Sequence, residues 1–90
     1  MFKLKEKNQK NLDFAVSTLN NMEGKIETLR FVEIGLDFQN SDRSYDIVLT
    51  THFEDKAGFD AYKDHPNHLP VIDEMRKLCS SSVVVDYITE

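Results

Sequence analysis

The apolar residues of this chain switch between two spacings, and the order of the switches leaves few folds open. Phe2-Lys3-Leu4-Lys5 alternates apolar and polar, the pattern of a half-buried strand. Asn8 can cap a helix, and Leu12, Ala15, Val16, Leu19 and Met22 then recur at a 3.6-residue period. Gly24 falls where a left-handed C-cap is expected. Residues 26–38 read as one long extended stretch, with Val32, Ile34, Leu36 and Phe38 on one face. Leu29 and Phe31 break that alternation, which predicts a bulge or a change of buried face. The polar run 39–44 is a turn, and residues 45–53 form a second strand with Tyr45, Ile47, Leu49, Thr51 and Phe53 on one face. Together the two strands make a β-hairpin.

Glu54-Asp55 places negative charge where the dipole of a second helix favours it, and Phe59 and Tyr62 point inward together. Pro66 interrupts that helix and suits the first turn of a new one. Leu69, Ile72, Met75, Leu78 and Cys79 continue at helical spacing, and residues 82–88 read as a strand with apolar residues on both faces. The order is β-α-β-β-α-β with the second helix broken. This is the split βαβ or ferredoxin-like arrangement, an α+β class with an antiparallel sheet. Ninety residues hold one domain, 1–90, and no repeat or linker divides them.

A sheet with helices on one side leaves its other face to water, and that face should then be polar at alternate positions. Here Val83 and Val85 oppose Val84 and Ile88, and Ile47 and Leu49 oppose Val48. Some apolar surface therefore needs a cover other than the helices. The simplest cover is a second copy packed sheet against sheet about a twofold axis, giving a homodimer through sheet faces.

Charge narrows the partners. Sixteen acidic against eleven basic side chains give a net charge of −5, which disfavours nucleic acid and anionic membrane surfaces. The start of the chain lacks an apolar run of signal-peptide length, and no run is long enough to span a bilayer. Cys79 is the one cysteine, so neither an internal disulfide nor a cysteine metal cluster is available, and its plain reading is a small buried hydrophobe on a helix. A cytoplasmic location fits these features.

Several segments also resemble a known family. The hairpin strand Tyr45-Asp46-Ile47-Val48-Leu49 leads into Phe53-Glu54-Asp55, then Tyr62-Lys63-Asp64-His65-Pro66-Asn67-His68, and the chain closes on Val83-Val84-Val85-Asp86-Tyr87. This pattern resembles the stress-responsive A/B barrel domain (Dabb) over essentially the whole chain. The resemblance implies two ferredoxin-like subunits forming a dimeric α/β barrel. The family holds heat-stable plant stress proteins, bacterial proteins of undefined activity and a plant polyketide cyclase, olivetolic acid cyclase, so it implies a fold more firmly than a reaction.

From the cyclase, the resemblance carries a catalytic Tyr and His onto Tyr62 and His68. A neutral His68 could take a proton from a carbon flanked by carbonyls, and the Tyr62 hydroxyl could hydrogen-bond the developing enolate oxygen. Such an intramolecular aldol condensation needs no cofactor, and a pocket between helices and sheet would hold a small apolar ligand. The cyclase's first strand begins a few residues before the position of Met1, and a pocket-lining His there has no counterpart among these residues: either this chain lacks that side chain or its start lies upstream. The structural alternatives are a packed Tyr62, a His65 that turns the chain at Pro66, and a His68 bonded to a buried carbonyl. His65 and His68, with Asp64 nearby, fall short of a zinc set, and no metal is expected. His52 takes no assigned role.

Overall fold

The computed structural model describes residues 1–89. In chain order it contains β1 (Phe2–Leu4), α1 (Gln9–Asn20), β2 (Phe31–Leu36), β3 (Ile47–His52), α2 (Lys56–Lys63), α3 (Leu69–Leu78) and β4 (Cys79–Ser82). The four strands form one antiparallel sheet in the order β2-β3-β1-β4. This is the ferredoxin-like arrangement expected from the order of periodicities.

Local chemistry starts the first two helices. The Asn8 side chain accepts from the Asn11 backbone N–H at 2.8 Å, and Asp55 does the same for Gly58 at 2.8 Å. The stripe of α1 then meets the sheet: Ala15, Leu19 and Met22 join Leu4, Ile26, Ile47, Tyr62, Val71 and Met75 in one core, with Leu19, Met22 and Ile47 fully buried. Across the β2–β3 hairpin, Val32 pairs with Thr51, Ile34 with Leu49 and Leu36 with Ile47, so Ile34 and Leu49 pack on the core from one face. The opposite face carries Phe31 against His52, Glu33 against Thr50 and Gly35 against Val48. Val48 leans over Gly35; a Cβ there would come 2.8 Å from Val48 Cγ1.

A buried carboxylate closes the irregular end of β1. The register slips between Lys3 and Leu4, and the Leu4 N–H donates to Asp46 Oδ2 at 2.7 Å instead of to a strand carbonyl. Lys7 Nζ lies 3.5 Å from the other oxygen, Asp46 Oδ1. A bulge that frees an N–H is stable only when the donor finds such an acceptor.

Four expectations need correction. Residues 26–30 are not extended: Ile26 turns into the core and accepts from the Leu29 N–H at 3.1 Å, so β2 starts at Phe31. Phe38, expected on one strand face with Val32, Ile34 and Leu36, lies beyond the end of β2 and is 90% exposed. Pro66 opens a turn instead of a helix, and Pro70 occupies the first turn of α3. Cys79 ends α3 in extended backbone and begins β4, which runs Cys79–Ser82 and not 82–88. The reason lies in β1. It pairs Leu4 with Cys79 and Phe2 with Ser82, and a reciprocal pair of bonds between Met1 and Val83 ends the ladder.

Candidate functional site

Tyr62 and His68 are brought together, and the turn after α2 does it. Tyr62 sits in the last turn of α2 with its ring in the core. The chain then folds back through residues 66–68, with the His68 N–H donating to the His65 carbonyl at 2.9 Å. The two rings stack with centroids 4.0 Å apart and planes 29° from parallel. Phe53 approaches the Tyr62 ring at 4.8 Å and Phe59 at 6.4 Å, completing an aromatic cluster.

The two groups face different surroundings. The Tyr62 hydroxyl points at Met22 Sδ, 3.8 Å away, and burial, helped by the Asp86 charge, pushes its pKa up to about 12. His68 is half-buried, and its Nδ1 lies 3.1 Å from the Lys63 carbonyl. A carbonyl only accepts, so Nδ1 carries the proton and Nε2 of the neutral ring keeps the lone pair.

His65 takes the opposite tautomer. Its Nδ1 accepts from the Asn67 N–H at 3.0 Å, so the neutral ring donates from Nε2 to Glu27 Oε2 at 3.2 Å. Asn67 Nδ2 also donates to the Lys25 carbonyl at 2.8 Å. These two contacts tie the turn that carries His68 to the segment after α1. His65 therefore acts where the sequence placed it, at the turn. Among the described residues no three His, Cys, Asp or Glu side chains converge as metal ligands.

Three other features were invisible in the one-dimensional pattern. Met22, read only as core, is the partner of the Tyr62 hydroxyl. Thr28 Oγ1 is buried without a hydrogen-bond partner, in the segment that packs on Gly58 and near Phe53. His52, left without a role, stacks on Phe31 with centroids 4.7 Å apart. Cys79 is half-buried, and burial, helped by the Asp46 charge, pushes its thiol pKa up.

Two clefts, of about 380 and 570 Å³, lie along the groove between α1 and α3 and share Phe14, Ser17 and Glu74. Neither Tyr62 nor His68 lines them. No helix is long and apolar enough to cross a membrane among the described residues.

Solved structures share the fold. A dimeric ferredoxin-like protein of unknown function from Thermobifida fusca YX is similar with a TM-score of 0.77 at 20% identity, over 90% of this chain and 77% of that one. A dimeric protein of unknown function with a ferredoxin-like fold from Bacteroides fragilis NCTC 9343 is similar with a TM-score of 0.76 at 23% identity, over 96% and 87%. A third, a dimeric ferredoxin-like protein of unknown function from Jannaschia sp. CCS1, has a TM-score of 0.72 at 24% identity, over 97% and 93%. No curated protein matches the chain. The sequence matches the stress responsive A/B barrel domain over residues 1–89, and the chain belongs to that family, Dabb.

Proposed function

We propose that this chain works as a homodimer, packed through the open faces of its two sheets, and that its role is a stable, non-catalytic assembly able to hold a small apolar ligand. The observation that carries this reading is the open face. It presents Phe31 and Val48, both more than 40% exposed, beside the side-chain-free Gly35, a surface suited to close approach by another sheet. The similar solved structures are described as dimeric, which supports the same reading. The chain acts as a single domain, and its one half-buried thiol suits the reducing cytoplasm. Sedimentation over a range of concentrations tests the assembly. Twice the chain mass is expected in the micromolar range, and Val48→Lys, which sets a charge on the open face, should shift it to the single-chain mass. A wild-type chain that sediments as a monomer throughout would sink the proposal.

A second reading rests on His68. An imidazole anchored through Nδ1 and free at Nε2 is oriented as a general base, and the stacked Tyr62 lies beside it. This is the arrangement a cofactor-free cyclase or lyase of the olivetolic acid cyclase type would use on a polyketide-like substrate. It requires Tyr62 to leave Met22 and meet a substrate oxygen, because a hydroxyl buried against sulfur polarises nothing. Turnover of a polyketide-like panel that is lost in both His68→Ala and Tyr62→Phe, with folding intact, would establish it. Absence of turnover by the wild-type dimer leaves the non-catalytic reading.

A further inference from the structure

The two histidines of the turn after α2 respond differently to a proton. His68 uses Nδ1 as a donor to the Lys63 carbonyl, at 3.1 Å, and a second proton at Nε2 leaves that bond in place. His65 uses Nδ1 as an acceptor, from the Asn67 N–H at 3.0 Å, and the proton that makes its ring cationic lands on that same nitrogen. Two N–H groups then face each other across a hydrogen-bond distance. His52, the third histidine, stacks on Phe31 in the sheet and takes no part in the turn.

The surroundings decide which side of His65 gives way. Across the ring, Nε2 lies 3.2 Å from Glu27 Oε2 and donates there whether the ring is neutral or cationic. The Glu27 carboxyl is held below the ordinary carboxylate range by its own backbone N–H and then by His65, so it is ionised wherever an imidazole titrates. Charge on the ring therefore strengthens the Glu27 side. The other charged neighbours are engaged elsewhere: Lys63 turns to Asp60 at 3.9 Å, Asp64 ends α2, and Lys25 offers the turn only its carbonyl. Asn67 is exposed, so its N–H can exchange the lost acceptor for water.

We propose that His65 is a proton switch: on taking up a proton it keeps Glu27, lets go of the Asn67 backbone and loosens the turn that lays His68 on the Tyr62 ring. With His65 neutral, two contacts tie the turn to the segment after α1, His65 to Glu27 and Asn67 Nδ2 to the Lys25 carbonyl at 2.8 Å. The His65–Asn67 bond joins these contacts into one strap, and acid cuts the strap in the middle. The His68 and Leu69 N–H groups donate to the His65 carbonyl, at 2.9 and 3.2 Å, without involving its ring. The turn thus opens at residues 66–67 and stays hinged at His65. The Tyr62–His68 corner is then held firmly near neutral pH and loosely in acid. The switch goes beyond both readings above, since it needs neither a second copy nor a catalytic role for the corner.

Nitrogen-15 NMR of the full chain from about pH 8 to about pH 5, the range in which imidazoles titrate, tests the switch. At the upper end the lone pair is expected on Nδ1 of His65 and on Nε2 of His68. As His65 takes its proton, the Asn67 amide signal should move with the same midpoint. Protection of that amide against hydrogen exchange, corrected for its intrinsic pH dependence, should fall about tenfold, the scale of one net hydrogen bond. His65→Asn sets an amide oxygen in the place of Nδ1 with no proton to gain, and should leave the Asn67 amide unresponsive. A lone pair on Nε2 of neutral His65, an Asn67 amide that stays still while His65 titrates, or an equal acid response in His65→Asn overturns the switch. Should that variant fail to fold, the wild-type tautomer and the Asn67 titration decide alone.

Discussion

The two faces of one sheet are stabilised by different means. The helix-covered face is satisfied within the chain: Ile47 and Leu4 meet Leu19, Met22 and Met75, and even the bulge in β1 has its acceptor in Asp46. The open face and the segment that follows it are not. Phe31, Val48 and residues 83–88 keep their apolar surface in water although the chain is folded. Local burial therefore accounts for the subunit's architecture, and the remaining apolar surface is left to water.

Substitutions on the two faces should behave differently. The largest effect is expected on the covered face, where Leu19→Ala empties a fully buried site and should cost about 2–5 kcal/mol in denaturant unfolding. A loss below 1 kcal/mol would mean that the core is less tightly packed than described.

Alkali should act on the same core through Tyr62. Its folded pKa of about 12 lies above the ordinary phenol value of 10.0, so the fold favours the protonated form. That stability is fully present below pH 10 and is lost as pH rises through about 12, by roughly 2–3 kcal/mol at most. Tyr62→Phe should remove this alkaline loss. A variant whose unfolding free energy falls over the same range as the wild type would show that another group is responsible.

Next comes the bulge. Asp46→Ala strips the Leu4 N–H of its acceptor and Lys7 of its partner, for an expected loss of about 1–3 kcal/mol in thermal or denaturant unfolding. Asp46→Asn, which keeps an acceptor oxygen, should recover part of it. The smallest effect on subunit stability belongs to Val48→Lys on the open face, within about 0.5 kcal/mol when measured on the monomer. If this change unfolds the monomer, Val48 belongs to the core and the contrast between the faces fails.

Part of this architecture is legible in the sequence and part is not. Asn8, the α1 stripe and the alternation of 47–52 specify their elements because caps and periodicity are local properties. Ile26 misled for the same reason: an apolar residue ahead of a strand looks like more strand, and only the core beneath it shows the turn. The C-terminal strand misled differently. Residues 82–88 carry strong β-propensity, but a strand exists only beside a partner, and β1 pairs with Cys79, Ser81 and Ser82. In the candidate site, the spacing of Tyr62 and His68 was readable. The orientation of each ring was not, since Met22 and the Lys63 carbonyl approach through tertiary folding and chain reversal.

The sequence by itself determined the order of elements, the family and the identity of the side chains at the Tyr62–His68 corner. Those follow from spacing along one chain. Only the tertiary structure decided that the Tyr62 hydroxyl faces sulfur, that His68 holds its free nitrogen at Nε2, and that the apolar C-terminal segment is bare. Hydrogen bonds and burial join residues distant in sequence, and which of them meet is fixed by packing in three dimensions, not by pattern in one.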